Sequence, residues 1–134
     1  MLDVRQLGLH VRKAANEFPA VIVVGPRQSG KTTLLKHLFG GQFPIISLEP
    51  PDVRLAAQSD PRGFLSLYPA PIVFDEIQYA PELLPYIKMA VDKARKPGMF
   101  WLTGSQQFHL MKGVSESLAG RVGIINLFGF SRQE

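Results

Sequence analysis

Ala20-Val21-Ile22-Val23-Val24-Gly25-Pro26-Arg27-Gln28-Ser29-Gly30-Lys31-Thr32 is the stretch from which the fold can be read. Its first five residues are continuously apolar and rich in β-branched side chains, the pattern of a central strand buried on both faces. Its last eight fit G-x-x-x-x-G-K-S/T at every fixed position. Glycine lets backbone N–H groups turn inward and approach phosphate oxygens with no side chain in the way. The residues from Lys31 to Phe39 read as a helix running off this turn, and its first N–H groups and positive dipole end add to the attraction. Lys31 supplies a mobile positive charge for the terminal phosphates, and the Thr32 hydroxyl is placed to ligate Mg²⁺. The candidate phosphate-contacting stretch is therefore Gly25, Pro26, Arg27, Gln28, Ser29, Gly30, Lys31, Thr32 and Thr33, with no separate task for Arg27, Gln28 or Thr33. The plainer reading, a glycine turn that only joins strand to helix, gives way because the flanking strand and helix are those the motif demands.

Working outward, short apolar runs alternate with helical patterns, which predicts an α/β fold with a mainly parallel, five-stranded sheet. The expected strands are Ala20–Val24, Phe43–Leu48, Pro71–Phe74, Met99–Thr103 and Gly123–Phe128. Asp3–Glu17 is expected to be helical, because Val4, Leu7, Val11 and Ala14 recur near the helical period. Pro50–Leu67 reads as one or two short helices broken at Asp60-Pro61. Pro81–Lys96 has proline at its start and Pro97-Gly98 beyond its end, with the regular helix expected from Pro85. Gln106–Leu118 reads as a helix interrupted around Gly113.

Ile72-Val73-Phe74-Asp75-Glu76 is an apolar strand ending in two carboxylates. An acid at such a tip can hold Mg²⁺, which suits Asp75. A second acid beside it can orient water for in-line attack on a phosphoryl group, which suits Glu76. Two acids that merely end a strand and cap the next helix are the bland alternative. Downstream, Leu102-Thr103-Gly104-Ser105-Gln106 ends the fourth strand. Ser105 or Thr103 there could position the water or contact the γ-phosphate, or the segment could be no more than turn-forming residues. Arg121, before the fifth strand, is either a phosphoryl-stabilising arginine reaching across a subunit boundary or a surface arginine ending a helix. No N-K-x-D segment for reading guanine occurs, which argues against a GTPase.

Taken together, GPRQSGKTTLL at Gly25–Leu35, FDEIQ at Phe74–Gln78, PELL at Pro81–Leu84, LTGSQ at Leu102–Gln106, ESLAGR at Glu116–Arg121 and LFGFS at Leu127–Ser131 resemble the prokaryotic AAA+ superfamily of P-loop NTPases. More narrowly, the chain is similar to AAA ATPases that carry a C-terminal domain of unknown function. The resemblance implies a three-layer αβα sandwich with strand order 5-1-4-3-2, ATP as nucleotide, and Mg²⁺ held through the Walker A and Walker B motifs. It also implies that Ser105 takes the sensor position, with Thr103 as a rival, and that Arg121 takes the arginine-finger position. Family members continue into a helical lid and a C-terminal domain, so residues 1–134 are expected to be one core domain from a longer architecture. The resemblance further implies that the full-length protein forms a homo-oligomer.

Composition sets the outer limits. With 46% hydrophobic and 19% charged residues, the 134-residue chain is that of a folded domain rather than a disordered one. It has no cysteine, which excludes disulfides and suits the cytoplasm. Asp3 and Arg5 precede any apolar run, which is not a secretory signal, and no apolar run is long enough to span a bilayer. His10, His37 and His109 are too far apart to suggest a metal site. The formal charge of +4 is modest and its cations are scattered. Three functions are therefore expected in descending order: a Mg·ATP hydrolase, a nucleotide-dependent switch with little turnover, and a DNA-associated ATPase module for which charge is the only local hint.

Overall fold

The computed structural model describes residues 4–25, 31–39, 42–105 and 108–127, leaving aside the side chains at 4, 5, 7, 31, 32, 38, 39 and 108. Among the described residues five strands form one sheet: β1 (Ala20–Val24), β2 (Ile45–Ser47), β3 (Ile72–Asp75), β4 (Phe100–Gly104) and β5 (Val122–Asn126). Six α-helices, again among the described residues, accompany them: α1 (Val4–Glu17), α2 (Lys31–Phe39), α3 (Pro51–Ser59), α4 (Pro61–Leu67), α5 (Leu84–Ala94) and α6 (Phe108–Leu118). The order across the sheet is β2-β3-β4-β1-β5, and each neighbouring pair is parallel. Read from the other edge this is 5-1-4-3-2, as the resemblance implied. The architecture is the α/β fold of P-loop NTPases.

Both faces of the sheet are covered, and strand side chains divide between them with period 2. Val21, Val23, Val73, Trp101 and Ile125 pack with Val11 and Ala14 of α1 and Leu34 and Leu35 of α2. Ala20, Ile22, Val24, Ile72, Phe74, Phe100 and Leu102 pack on the opposite face with residues of α3 to α6. Every residue of β1 is fully buried, which explains why its sequence shows no polar alternation. On the second face Phe74 lies 5.9 Å from Phe64 and 6.2 Å from Phe100 between ring centroids, forming an aromatic row beneath α4 and α5. On the first face Phe43 stacks on Trp101 at 4.5 Å.

Several boundaries differ from the sequence expectation for local reasons. β2 is limited to Ile45–Ser47, because Pro44 has no N–H to give; its carbonyl still accepts Val73 N–H at 3.0 Å. Between α3 and α4 the break falls at Asp60, whose carboxylate accepts Gly63 N–H at 3.0 Å and caps α4, with Pro61 in its first turn. The segment from Pro81 begins as a 3₁₀ turn, Pro81–Leu83, and becomes α-helical at Leu84. The expected interruption at Gly113 is not found: α6 runs through it. Its apolar face, Leu110, Val114 and Leu118, is buried at helical spacing and outweighs the weak preference of one glycine.

The aromatic row yields a stability test. Phe74→Ala should lower the unfolding free energy by about 3–5 kcal/mol in a denaturant titration. A loss under about 1 kcal/mol would mean that Phe74 does not sit in a packed core.

Candidate functional site

In a parallel sheet all strands end at one edge, so loops from distant parts of the sequence converge there, and ligands bind in the crevice outside those ends. Here β4 lies between β1 and β3. Val24 pairs with Gly104, and Gly25 N–H donates to the Gly104 carbonyl at 3.1 Å. The first residue of the glycine loop is therefore fixed beside the tip of β4. On the other side of β4, Phe74 pairs with Leu102, which puts Asp75 beside Thr103. With strands about 4.8 Å apart, the start of the loop and the acidic pair stand about 10 Å from each other across β4.

Thr103 joins the parts. It is fully buried, and its hydroxyl donates to Asp75 Oδ1 at 2.5 Å while accepting Glu76 N–H at 2.9 Å. One hydroxyl thus uses its donor and an acceptor to hold a carboxylate and the next backbone amide. The Asp75 carbonyl accepts Leu48 N–H at 3.0 Å, so the strand tip is anchored from both neighbours.

Glu76 has left-handed backbone angles, φ 62° and ψ 59°. For a residue with a Cβ this costs about 1–2 kcal/mol, and such strain persists only where surrounding contacts over-determine it. The chain then enters a 3₁₀ turn at Ile77–Tyr79. Gln78 Nε2 donates to Glu76 Oε1 at 2.7 Å, and Gln78 Oε1 accepts Ser105 N–H at 3.3 Å. The Ser105 Oγ is buried and makes no hydrogen bond among the described residues. Helix α3 steadies the turn from outside: Gln58 Nε2 donates to the Tyr79 carbonyl at 3.0 Å, and the Arg54 guanidinium lies 4.3 Å from the Tyr79 ring centroid.

The structure thus brings Gly25, Asp75, Glu76, Thr103 and Ser105 to one edge. Pro26, Arg27, Gln28, Ser29 and Gly30 lie outside the described residues. Lys31 and Thr32 open α2 in the backbone, their side chains lying outside the description, and Thr33 is exposed in its first turn. Gln78 was visible in the sequence only as the last letter of FDEIQ. Its position two residues past Glu76, on a turn, was the available signal.

Arg121 is elsewhere. Its carbonyl accepts Ala20 N–H at 3.2 Å, at the start of β1 rather than its end. At about 3.3 Å per residue, β1 separates it from the glycine loop by about 13 Å. Its guanidinium makes two bonds to Asp92 of α5, Nε to Oδ1 at 2.6 Å and Nη2 to Oδ2 at 3.1 Å. The hydrogen bond from Arg121 holds the Asp92 carboxyl below its ordinary value of 3.8, with the same partner raising Arg121 in turn. Around the pair lies a cleft of about 590 Å³ lined by Asn16, Glu17, Arg95 and Lys96 among others. It faces away from the strand ends that gather the other candidates.

Two tests follow from this geometry. Thr103→Val keeps the shape and removes the bridge, so it should cost about 1–3 kcal/mol in unfolding free energy; a neutral result would show that the hydroxyl does not hold Asp75 and Glu76. For the Arg121–Asp92 pair, a depressed carboxyl pKa means the pair stabilises the fold above it and is lost as pH falls through it. An NMR titration of Asp92 should therefore give a midpoint below 3.8 in the wild type, rising in Arg121→Ala. An unmoved midpoint would rule the pairing out.

Comparison with known proteins agrees with this fold. Over 132 residues the chain is 35% identical to uncharacterized proteins of Mycobacterium tuberculosis and Mycobacterium bovis, covering 98% of this chain and 30% of theirs. The chain thus spans about 30% of the length of the curated relatives it matches. In structure it is similar to a Walker-type ATPase of Pyrococcus abyssi, with a TM-score of 0.65 and 18% identity over 95% of this chain and 53% of that one. A family profile described as an AAA domain matches residues 17–134. With its P-loop NTPase sheet and a match that takes in nearly the whole of the chain, this protein belongs to the AAA domain family.

Proposed function

We propose that the chain binds ATP with Mg²⁺ and hydrolyses it to ADP and phosphate. The observation that carries this reading is the Thr103 bridge, which fixes Asp75 and Glu76 with only β4 between them and the start of the glycine loop. Backbone N–H groups of Arg27 to Gly30 would cradle the phosphates, and Lys31 would neutralise charge on the β- and γ-phosphates. A divalent metal fits the chemistry of the donors present: the Asp75 carboxylate and the Thr32 hydroxyl form an all-oxygen set, as Mg²⁺ requires. Bound there, Mg²⁺ supplies neutralisation of phosphate charge. Glu76 would accept a proton from the attacking water, and Ser105 or Thr103 would lie beside the γ-phosphate. Thr103 is already engaged by the acidic pair, which favours Ser105, whose Oγ is buried and without a bond among the described residues.

Arg121 cannot serve the nucleotide of its own chain from the start of β1. As an arginine finger it would act on a neighbouring copy in an oligomer of the full-length protein, after release from Asp92. No described helix is long and apolar enough to cross a membrane, and the lack of cysteine suits a cytoplasmic setting.

The test compares ATP binding by the purified protein, with and without Mg²⁺, in wild type, Lys31→Ala and Glu76→Gln. Lys31→Ala should abolish measurable binding. Glu76→Gln should bind normally and lose about a hundredfold or more in turnover, as removal of a general base does. Binding without turnover in the wild type would support a nucleotide-dependent switch instead, and no binding by the folded protein would contradict both readings.

A further inference from the structure

Gln78 connects the two ends of the candidate site through a single planar group. Its Nε2 donates to the Glu76 carboxylate at 2.7 Å, and its Oε1 accepts the Ser105 N–H at 3.3 Å. Neither bond belongs to a helix or a strand ladder. The first reaches back two residues, and the second crosses from the turn after β3 to the tip of β4. A carboxamide can do both at once, because it carries donors at one end and an acceptor at the other. We propose that Gln78 is a positioning residue that fixes the Glu76 carboxylate and ties its orientation to the backbone at Ser105. Anything bound at the tip of β4 is then felt at the carboxylate. The proposal rests on reading Glu76 as the group that activates water.

Three features of the structure support the assignment. Glu76 is held at both ends, its N–H by Thr103 and its carboxylate by Gln78, as a strained left-handed residue requires. The carboxamide packs close to Gly104: a Cβ on that glycine would stand 2.7 Å from Leu110 Cδ2, 3.2 Å from Ile77 Cγ2 and 3.3 Å from Gln78 Oε1, so a side chain there would crowd Leu110 first and the Gln78 turn with it. The turn that carries Gln78 is itself fixed, by the fully buried Ile77 below and by Gln58 and Arg54 on Tyr79 above. Ser105 completes the link. Its N–H is engaged by Gln78 while its buried Oγ makes no bond among the described residues, so a γ-phosphate met by that hydroxyl would act on the same residue that holds the carboxamide.

The chemistry makes Gln78 hard to replace. Asparagine is one methylene too short to span both partners. Ionised glutamate keeps the length but has no donor, and it sets a like charge against Glu76.

The experiment measures ATP turnover and binding of a fluorescent ATP analogue in the full-length protein, for wild type, Gln78→Ala, Gln78→Glu, Glu76→Ala and the double variant Gln78→Ala/Glu76→Ala. Thermal melting of each variant shows whether it is folded. Gln78→Ala should lower kcat by about tenfold to a hundredfold and leave analogue affinity within about threefold, since misplacing a reacting group affects the chemical step. Gln78→Glu should not rescue. In the Glu76→Ala background the Gln78 substitution should cause no further loss, because a residue that acts only through Glu76 has nothing left to position. An unchanged kcat, or losses that add in the double variant, would overturn the proposal.

If the wild type itself fails to turn over ATP, the failure belongs to the hydrolase reading, and the Gln78 side-chain amide resonance in ¹⁵N-labelled protein decides the positioning role. It should move in Glu76→Ala, and move in wild type when Mg²⁺ and a non-hydrolysable ATP analogue are added. A resonance that stays put in both cases would overturn the link.

Discussion

The burial of β1 on both faces and along both edges is the constraint from which the rest follows. Each of its residues is removed from water, and its backbone is bonded to β4 on one side and β5 on the other. A strand so enclosed has no freedom to slip, because a shift of one residue would exchange Val21 and Val23 with Ile22 and Val24 between two differently shaped helical layers. The point at which the chain leaves the sheet is therefore fixed at Gly25. The parallel register then sets Gly104 beside Val24 and Asp75 beside Thr103. Packing that is entirely apolar thus determines where the polar chemistry can occur.

At that edge the side chains restrain one another in sequence. Thr103 is held by its place in a buried strand, Asp75 and the Glu76 amide by Thr103, the Glu76 carboxylate by Gln78, and Gln78 by a turn packed under α3. Strain at Glu76 is sustained by this chain of contacts, and it aims a carboxylate at a fixed place without help from the regular strand. Placing such groups on rigid elements, with supporting residues behind them, is what a site needs if its geometry is to hold before a ligand arrives.

Much of this was legible because the relevant physics is local. The run Ala20–Val24 can be read as a doubly buried strand from composition alone, the glycine loop from its spacing, and the acidic pair from its place at the end of an apolar run. What lay hidden depends on register. The Thr103–Asp75 and Ser105–Gln78 bonds join residues more than two dozen positions apart, and only the pairing of β3 with β4 brings them together. The sequence left Thr103 and Ser105 as rivals for one role. The structure separates their present contacts, with one hydroxyl engaged as both donor and acceptor and the other buried without a bond among the described residues. The expected interruption at Gly113 failed because one glycine's cost is small against a helix face that buries Leu110, Val114 and Leu118. Arg121 was marked out by its motif, yet its place at the start of β1, paired with Asp92, required the three-dimensional arrangement.

Where a nucleotide sits decides whether the strand ends form its site. An experimental structure of the protein with Mg²⁺ and a non-hydrolysable ATP analogue tests it most directly. The account predicts phosphates in the Gly25–Thr32 loop, the metal shared by Thr32 and Asp75, and the γ-phosphate over the tip of β4 between Ser105 and Glu76. A nucleotide bound away from the ends of β1, β3 and β4, or phosphates that leave Asp75 and Glu76 out of reach, would contradict it.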